Sequence, residues 1–181
     1  MTEMFPRTGR LRPGYRPEQV DAYFATAREI YDAGEIDEMD SEGVRTVAFG
    51  IVRHGYQPEA VDAALDRLET AFLHRRRADY VAEHGRKAWM EVSAQLATSL
   101  YPRLLRPAGE RFAPAHGQGY DVAEVDALMD RISAYFDDDA RLGAAEVRSE
   151  TFHRARGAKA YDEASVDRYL ARVVEVLLSV E

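Results

Sequence analysis

The chain has 181 residues, of which 46% are hydrophobic and 31% charged, so it is long and apolar enough to fold around a buried core. Its formal net charge of −8 argues against nucleic-acid binding, because a phosphate backbone favours proteins with an excess of Lys and Arg. The absence of cysteine excludes disulfides, thiolate catalysis and cysteine-based zinc sites, and no apolar run approaches the roughly 20 residues of a membrane span.

The first predicted elements are an extended loop and a helix. Two prolines and two glycines punctuate the loop, residues 4–14. The helix is expected to begin near Arg16, because Pro17 suits the first helical position, where an N–H is not needed. From there apolar residues recur at steps of four, three and four, which is typical of a helix that buries one face. These residues are Val20, Phe24, Ala27 and Tyr31.

The start of this helix belongs to a motif that occurs four times. In each copy a Gly-Tyr or Ala-Tyr dipeptide is followed by a valine five residues after the tyrosine, then at once by an aspartate and a helical apolar pattern. We interpret the tyrosines as core or interface aromatics, and the aspartates as carboxylates stabilised by the helix dipole or a partner Arg. The motif residues are Tyr15, Val20 and Asp21; Tyr56, Val61 and Asp62; Tyr120, Val125 and Asp126; and Tyr161, Val166 and Asp167.

The spacing of the copies predicts two pairs. The separation of Tyr15 from Tyr56 equals that of Tyr120 from Tyr161, whereas the gap between Tyr56 and Tyr120 is longer. The connectors match too, since each runs from an acidic stretch through Val-Arg to an aromatic, Val44-Arg45 to Phe49 and Val147-Arg148 to Phe152. We infer a duplicated two-repeat module. Because a single amphipathic helix cannot bury its apolar face alone, the repeats of each pair are expected to associate within one chain, giving a monomer or weak dimer.

The predicted fold is all-α, with four helical repeats in two pseudo-dimeric pairs and a short extended loop before each repeat helix. The first pair spans 1–79, with repeats at 4–34 and 44–79, and the second spans 111–181, with repeats at 111–138 and 146–181. Between them, 80–110 is predicted to be a helical insert. The second repeat helix should run to about Glu83 and break at Gly85, and the next should run from Arg86 towards Leu100 and end at Pro102 and Pro107.

Local signals complete the helix starts. Asp121 is predicted to cap the third repeat helix with Glu124 as its capping-box partner, and the fourth is predicted to begin at Asp162. A glycine precedes the tyrosine in the first three copies, which suggests a turn that favours positive φ, although Ala160 shows that glycine is not obligatory.

Residues that could carry chemistry are few. The five histidines lack ligand spacing, and no Gly-x-Ser-x-Gly, Walker or Rossmann pattern is present, so we expect no enzyme, no metal site and no cofactor. The run Arg75-Arg76-Arg77 is interpreted as a solvated helix face, with a partner or lipid head group as the alternative.

The unit Val-Arg-x-x-x-Phe, followed by Gly-Tyr-x-x-x-x-Val-Asp-x-x-Leu, resembles the DivIVA N-terminal domain, a scaffold module of bacterial cell division and polar growth. The third copy, from Gly119 to Leu128, is nearest to the usual form, and the resemblance covers the chain outside about 74–110. It suggests a tandem-repeat, DivIVA domain-containing protein of a high-GC Gram-positive bacterium. The resemblance implies a parallel dimer whose loops cross, and loop tips whose apolar and basic residues touch the membrane.

From this resemblance we expect a cytoplasmic, non-enzymatic scaffold or adaptor that binds proteins of the division or envelope machinery, with weak peripheral contact to the anionic inner membrane face. The alternative is a purely cytosolic protein-binding regulatory module. The residues expected to touch a membrane or partner are Phe5, Arg7, Arg10, Leu11 and Arg12 in the first loop, and Phe152, Arg154, Arg156 and Lys159 in the fourth.

Overall fold

The computed structural model describes residues 3–35, 44, 47–137 and 140–180. Most of the acidic connectors, at 36–42 and 138–139, and Arg45 lie outside these residues. The chain divides into two compact units, Met1–Glu83 and His84–Glu181. The boundary therefore falls inside the predicted insert 80–110.

The first unit combines a two-stranded antiparallel sheet with long helices. Strand β1 (Pro13–Tyr15) pairs with β2 (Ile51–Arg53), with Tyr15 opposite Ile51. Helix α1 (Pro17–Ala33) has Arg16 as its N-cap and proline at its start, as predicted, and ends at Gly34 in the left-handed conformation. Helix α2 (Pro58–Thr98) begins in this unit.

Helix α2 is interrupted at Gly85, whose φ of 85° and ψ of 160° are non-helical. This confirms the predicted break. The part of α2 that follows belongs to the second unit, where the indole Nε1–H of Trp89 donates to the carbonyl of Ser179 at 2.9 Å. The hydroxyl of Tyr169 also donates to the carbonyl of Leu100 at 3.0 Å. The insert is thus packed into the second unit from His84 onward.

The second unit repeats the strand and helix order of the first and adds helices. After α2 come the short helix α3 (Tyr101–Leu104), then β3 (Gln118–Asp121), α4 (Val122–Asp137) and α5 (Ala144–Ser149). Strand β4 (Arg154–Arg156), a 3-10 turn (Gly157–Lys159), β5 (Ala160–Tyr161) and α6 (Glu163–Val180) complete the chain. The three strands form one antiparallel sheet in the order β4-β3-β5.

The chain is therefore mostly helical, but it also contains two small antiparallel sheets that the all-α prediction left out. The segments before each motif tyrosine, expected only to be extended, hydrogen-bond to other extended segments. Buried N–H and C=O groups require such partners, because an unpaired one costs about as much as a lost hydrogen bond. Over the described residues, no helix combines the length and the apolarity needed to cross a membrane.

The four motif valines lie in the cores of their units. Val20, Val61, Val125 and Val166 each have 0% exposure. In the first unit Val20 and Val61 pack with Tyr56, and Phe24 and Leu65 close the cluster from its edges. Full burial of side chains of this size stabilises a fold by roughly 1.5–3 kcal/mol each.

The glycines before the motif tyrosines have a role different from the one predicted. Positive φ occurs at Gly34, Gly85, Gly109 and Gly157 but not at Gly14, Gly55 or Gly119, so the prediction of a positive-φ turn is wrong. The reason for glycine is close backbone approach. A Cβ on Gly55 would lie 2.6 Å from the carbonyl carbon of Gly14, and one on Gly14 would lie 2.8 Å from that of Gly55.

Gly119→Ala should destabilise the second unit, because the added methyl would lie 2.7 Å from the Cβ of Ala115 and closer still to the Tyr161 backbone. Overpacking of this kind costs typically about 1–3 kcal/mol. The matched control is Gly117→Ala, two residues away, where nothing lies within 4 Å of the added methyl. Urea unfolding of both variants measures the difference, and equal midpoints would contradict the backbone-approach explanation.

Candidate functional site

The centre of each unit is a crossing of two motif segments. In the first unit the N–H of Tyr15 donates to the carbonyl of Tyr56 at 2.9 Å, and the N–H of Tyr56 donates back to the carbonyl of Tyr15 at 2.8 Å. In the second unit Tyr120 lies opposite Tyr161 in the same antiparallel sense. Segments far apart in the sequence are thereby held together by their backbones.

The motif tyrosines and aspartates then bind one another across the crossing. The hydroxyl of Tyr56 donates to Oδ2 of Asp21 at 3.2 Å. In return the hydroxyl of Tyr15 forms a hydrogen bond with Asp62. The pKa of Tyr15 is raised mainly by burial and secondly by the nearby Asp62 carboxylate. Each tyrosine thus reaches the aspartate of the other copy, not of its own.

The second unit repeats the exchange. The hydroxyl of Tyr161 donates to Oδ1 of Asp126 at 3.1 Å. The hydroxyl of Tyr120 forms a hydrogen bond with Asp167. The pKa of Tyr120 is raised mainly by burial and secondly by the nearby Asp167 carboxylate. Of the two aspartates, Asp126 is buried, with 6% exposure, and Asp167 is exposed.

Four phenylalanines pack on the crossed tyrosines. Phe5 lies 5.5 Å from Tyr56, and Phe49 lies 5.5 Å from Tyr15, between ring centroids. In the second unit the corresponding contacts are Phe112 on Tyr161 at 5.3 Å and Phe152 on Tyr120 at 5.2 Å. Edge and tilted ring contacts of this kind add about 0.5–1.5 kcal/mol beyond area burial.

Arg111 is a site residue that sequence reasoning missed. It is buried, with 7% exposure, and its guanidinium lies 3.8 Å from Oδ1 of Asp126 and pairs with Asp130. One guanidinium N–H also donates to the carbonyl of Asp126 at 2.8 Å, and the backbone N–H of Arg111 donates to the hydroxyl of Tyr161 at 3.2 Å. The first unit places Met4 N–H against the hydroxyl of Tyr56 at 3.3 Å, so Met4 stands where Arg111 does.

The first loop divides into engaged and exposed residues. Phe5 packs on Phe24 and Tyr56, and Arg7 pairs with Glu3 at 2.6 Å and donates to the carbonyl of His54 at 3.1 Å. The ring of Phe5 is therefore half-buried against the protein core. The other predicted contact residues of the loop, Arg10, Leu11 and Arg12, are exposed, Leu11 to 83%.

The fourth loop divides in the same way. Phe152 is half-buried on Tyr120, and Arg154 pairs with Glu163 at 3.1 Å. Arg156 and Lys159 are exposed. Arg156 lies opposite Gln118 in the sheet, at the place where Arg53 lies opposite Pro13 in the first unit. Arg53 is exposed and belongs to the basic end of the first unit, which the sequence analysis did not assign.

Glu124 does not act as a capping-box partner. Asp121 caps α4 as predicted, since its Oδ1 accepts the N–H of Ala123 at 3.0 Å. The Glu124 carboxylate instead accepts the backbone N–H of His153 at 2.7 Å and bonds its ring Nδ1 at 2.7 Å. Both bonds hold the pKa of Glu124 below its usual value, and the bond from the His153 backbone has the larger effect. The donors at His153, next to β4, therefore compete successfully for this carboxylate.

Because the folded pKa of Glu124 is lowered, its stabilising effect is present above the ordinary pKa of about 4.3 for glutamate and is lost as the pH falls through the folded value. The Glu124→Gln variant should therefore show a smaller drop in melting temperature than the wild type between about pH 5 and about pH 3. Glu91→Gln, on an exposed helix face, is the control. Parallel curves for Glu124→Gln and the wild type would contradict this assignment.

A cavity of about 200 Å³ in the first unit is lined by Val44, Asp62, Leu65, Asp66 and Glu69. Glu69 is 1% exposed, and burial raises the pKa of Asp62. Within the described part of the chain, no group of three or more His, Cys, Asp or Glu side chains is placed to hold a metal ion.

Comparison of the chain with protein-family models, with curated proteins and with solved structures gives no match. The crossings hold two distant segments of the chain together in each unit. Beside them lie exposed basic residues, Arg10, Arg12 and Arg53 in the first unit and Arg156 and Lys159 in the second.

Proposed function

We propose that the chain is a non-enzymatic scaffold or adaptor related to the DivIVA proteins of cell division and polar growth. In this proposal its four helical repeats form two pseudo-dimeric pairs, each of which does within one chain what two chains do in a single-repeat relative. It acts in the cytoplasm by binding proteins of the division or envelope machinery.

The observation that carries this proposal is the reciprocal bond between tyrosine and aspartate. Tyr56 binds Asp21 while Tyr15 binds Asp62, and the same exchange occurs in the second unit. A two-fold related pair of chains would make these contacts twice by symmetry. Their presence twice in one chain supports a fusion of repeats that once paired between chains.

Membrane contact, the second part of the proposal, is supported by the exposed ends of the units. The exposed residues at the end of the first unit are Arg10, Leu11, Arg12 and Arg53. Those at the end of the second unit are Arg156 and Lys159. Near an anionic leaflet each basic residue contributes about 1 kcal/mol. The first end therefore supplies on the order of 3 kcal/mol, which gives weak, reversible and salt-sensitive binding.

The triple variant Arg10→Glu, Arg12→Glu and Arg53→Glu should lose its binding to liposomes containing an anionic lipid at low salt, as measured by sedimentation. Arg7 is left unchanged because its bonds to Glu3 and His54 are part of the fold. The matched control reverses Arg28, Arg67 and Arg86, which are exposed on helices. Equal sedimentation of both variants and the wild type would contradict a role for the loop end.

The second candidate function is a purely cytosolic protein-binding regulatory module. It is favoured by the engagement of Phe5 and Phe152 in protein contacts and by the net charge of −8, both of which oppose membrane binding. A wild type that never sediments with anionic liposomes would make this the better description.

A further inference from the structure

The two units differ in what covers one face of their helix pair. In the second unit this face is formed by Tyr169, Val173, Val176 and Ser179 of α6 with Phe136 of α4. The chain segment 86–104 lies on it. Its contacts are Trp89 to the Ser179 carbonyl, Leu100 to the Tyr169 hydroxyl, and the Tyr101 ring 6.1 Å from that of Phe136.

The direction of the covering segment follows from these contacts. Trp89 meets the end of α6 at Ser179, and Leu100, eleven residues later, meets Tyr169 in the second turn of α6. The segment therefore runs antiparallel to α6 and places two large apolar residues about three turns apart. Under it Val176 is 2% and Ser179 4% exposed.

The corresponding face of the first unit is less covered. Residues of the two units are matched by the sequence separation between Tyr56 and Tyr161. By this matching, the first-unit face is formed by Ala64, Leu68, Ala71 and His74 of α2 with Tyr31 of α1. Leu68, Ala71 and Tyr31 are half-buried and His74 is exposed, whereas the α6 residues that match Leu68, Ala71 and His74 are buried, namely Val173, Val176 and Ser179. The other two positions do not follow this difference, since Ala64 is 8% exposed where its match Tyr169 is half-buried, and Tyr31 and Phe136 are both half-buried. We refer to the face of Ala64, Leu68, Ala71 and Tyr31 as the groove.

This groove ends in a basic cluster that the second unit lacks. Arg75 places its guanidinium 5.9 Å from the ring centroid of Tyr31 and pairs with Asp79, one turn later, at 3.1 Å; Arg76 and Arg77 follow it. In the second unit the positions matching His74 and Arg75 are Ser179 and Val180. A helix lying here in the orientation of 86–104 would place its N-terminal turn against the arginines, where acidic residues also interact favourably with the helix dipole.

We propose that this groove binds an amphipathic helix of a partner protein, with an acidic first turn and large apolar residues about three turns apart. The sister unit supplies the shape of the occupant, and the arginines supply its charge. The mode is a helix in a groove, in which apolar anchors give affinity and end charges give orientation. This proposal depends on the correspondence between the two units and is independent of membrane binding.

The probe is a fluorescein-labelled peptide of residues 86–104 with Arg86→Glu and Lys87→Glu, so that its first turn is acidic. Fluorescence anisotropy with the full chain should show binding about tenfold tighter than that of the same peptide with its native Arg and Lys. Reversing Arg75, Arg76 and Arg77 to Glu in the protein should invert this preference. An unchanged preference would overturn the proposal.

Ala71→Glu tests the groove itself and should weaken binding of the acidic peptide at least about tenfold. The control is Ala63→Glu, on an exposed side of the same helix, which should bind as the wild type does. Circular dichroism melting of both variants shows whether the fold is kept. Equal loss in both variants, or none in either, would overturn the groove assignment.

Light scattering of the full chain separates a partner helix from a second copy. We expect a monomer at micromolar concentration in the wild type and in Ala71→Glu. A stable wild-type dimer that Ala71→Glu dissociates would mean that another copy of this chain occupies the groove, and would overturn the proposal. The Gly119→Ala result is unaffected by either outcome, so failure of the groove is distinguishable from failure of the repeat arrangement.

Discussion

Val61→Asp is expected to unfold the first unit and Val125→Asp the second. Both side chains have 0% exposure, and Val61 packs directly on Val20 and Tyr56. The neighbours of Val61 in this core cluster are apolar or aromatic, and the effective cost of burying a charge is several kcal/mol. Because a domain is stable by only about 5–15 kcal/mol in total, a loss of this size removes most or all of its stability.

Hydrogen exchange followed by mass spectrometry measures this effect unit by unit. In Val61→Asp we expect α1 and the start of α2 to lose protection, and in Val125→Asp we expect α4 and α6 to lose it. Arg76→Ala is the control, because surface substitutions usually change stability by less than about 0.5 kcal/mol and Arg76 is exposed. Equal melting temperatures for all three variants would show that the motif valines are not the core.

These effects can be predicted from the sequence because helix periodicity is a local signal. The steps of four, three and four from Val20 and Val61 fix which side of each helix is apolar, and the proline and aspartate signals fix where α1 and α4 begin. Gly85 was predicted as a break for the same local reason.

The crossings could not be predicted from local patterns. Gly14 and Gly55 need to be glycine because two backbones that are distant in the sequence meet there, and nothing within either segment encodes that meeting. Glu124 was assigned to its own helix end for a similar reason, since its actual partner His153 lies far along the chain, beyond α5.

Arg111 stands at the start of the predicted second pair and carries no periodic signal. One comparison would have found it. Phe5 packs on Tyr56, and Phe112 packs on Tyr161 in the same way. The two loops are therefore aligned by matching these phenylalanines. The sequence separation between the motif tyrosines of the two units does not align them. In that alignment Arg111 falls opposite Met4, so a cation beside the core is present in one copy and absent in the other.

Arg111→Met should cost the second unit about 3–5 kcal/mol, because removing one partner of a buried ion pair leaves the other charge uncompensated. The charge left behind is Asp126, 6% exposed, which would keep its bonds from the Tyr161 hydroxyl and the Gly109 N–H. The Met side chain keeps much of the apolar stem of Arg, so the loss reports charge and hydrogen bonds more than packing. Urea unfolding of the full chain, followed by hydrogen exchange in α4 and α6, measures the effect.

A double-mutant cycle separates the pair from the rest of the network. Adding Asp126→Asn to Arg111→Met removes the stranded charge while keeping an acceptor for Tyr161, so the double variant should be more stable than Arg111→Met alone. Arg131→Met is the control, since Arg131 also meets two carboxylates, Glu146 and Glu150, but its side chain is 46% exposed. Exposed pairs contribute about 0–1 kcal/mol. If Arg111→Met and Arg131→Met are equally mild, the buried pair does not hold the second crossing together, and backbone bonds and aromatic packing are enough.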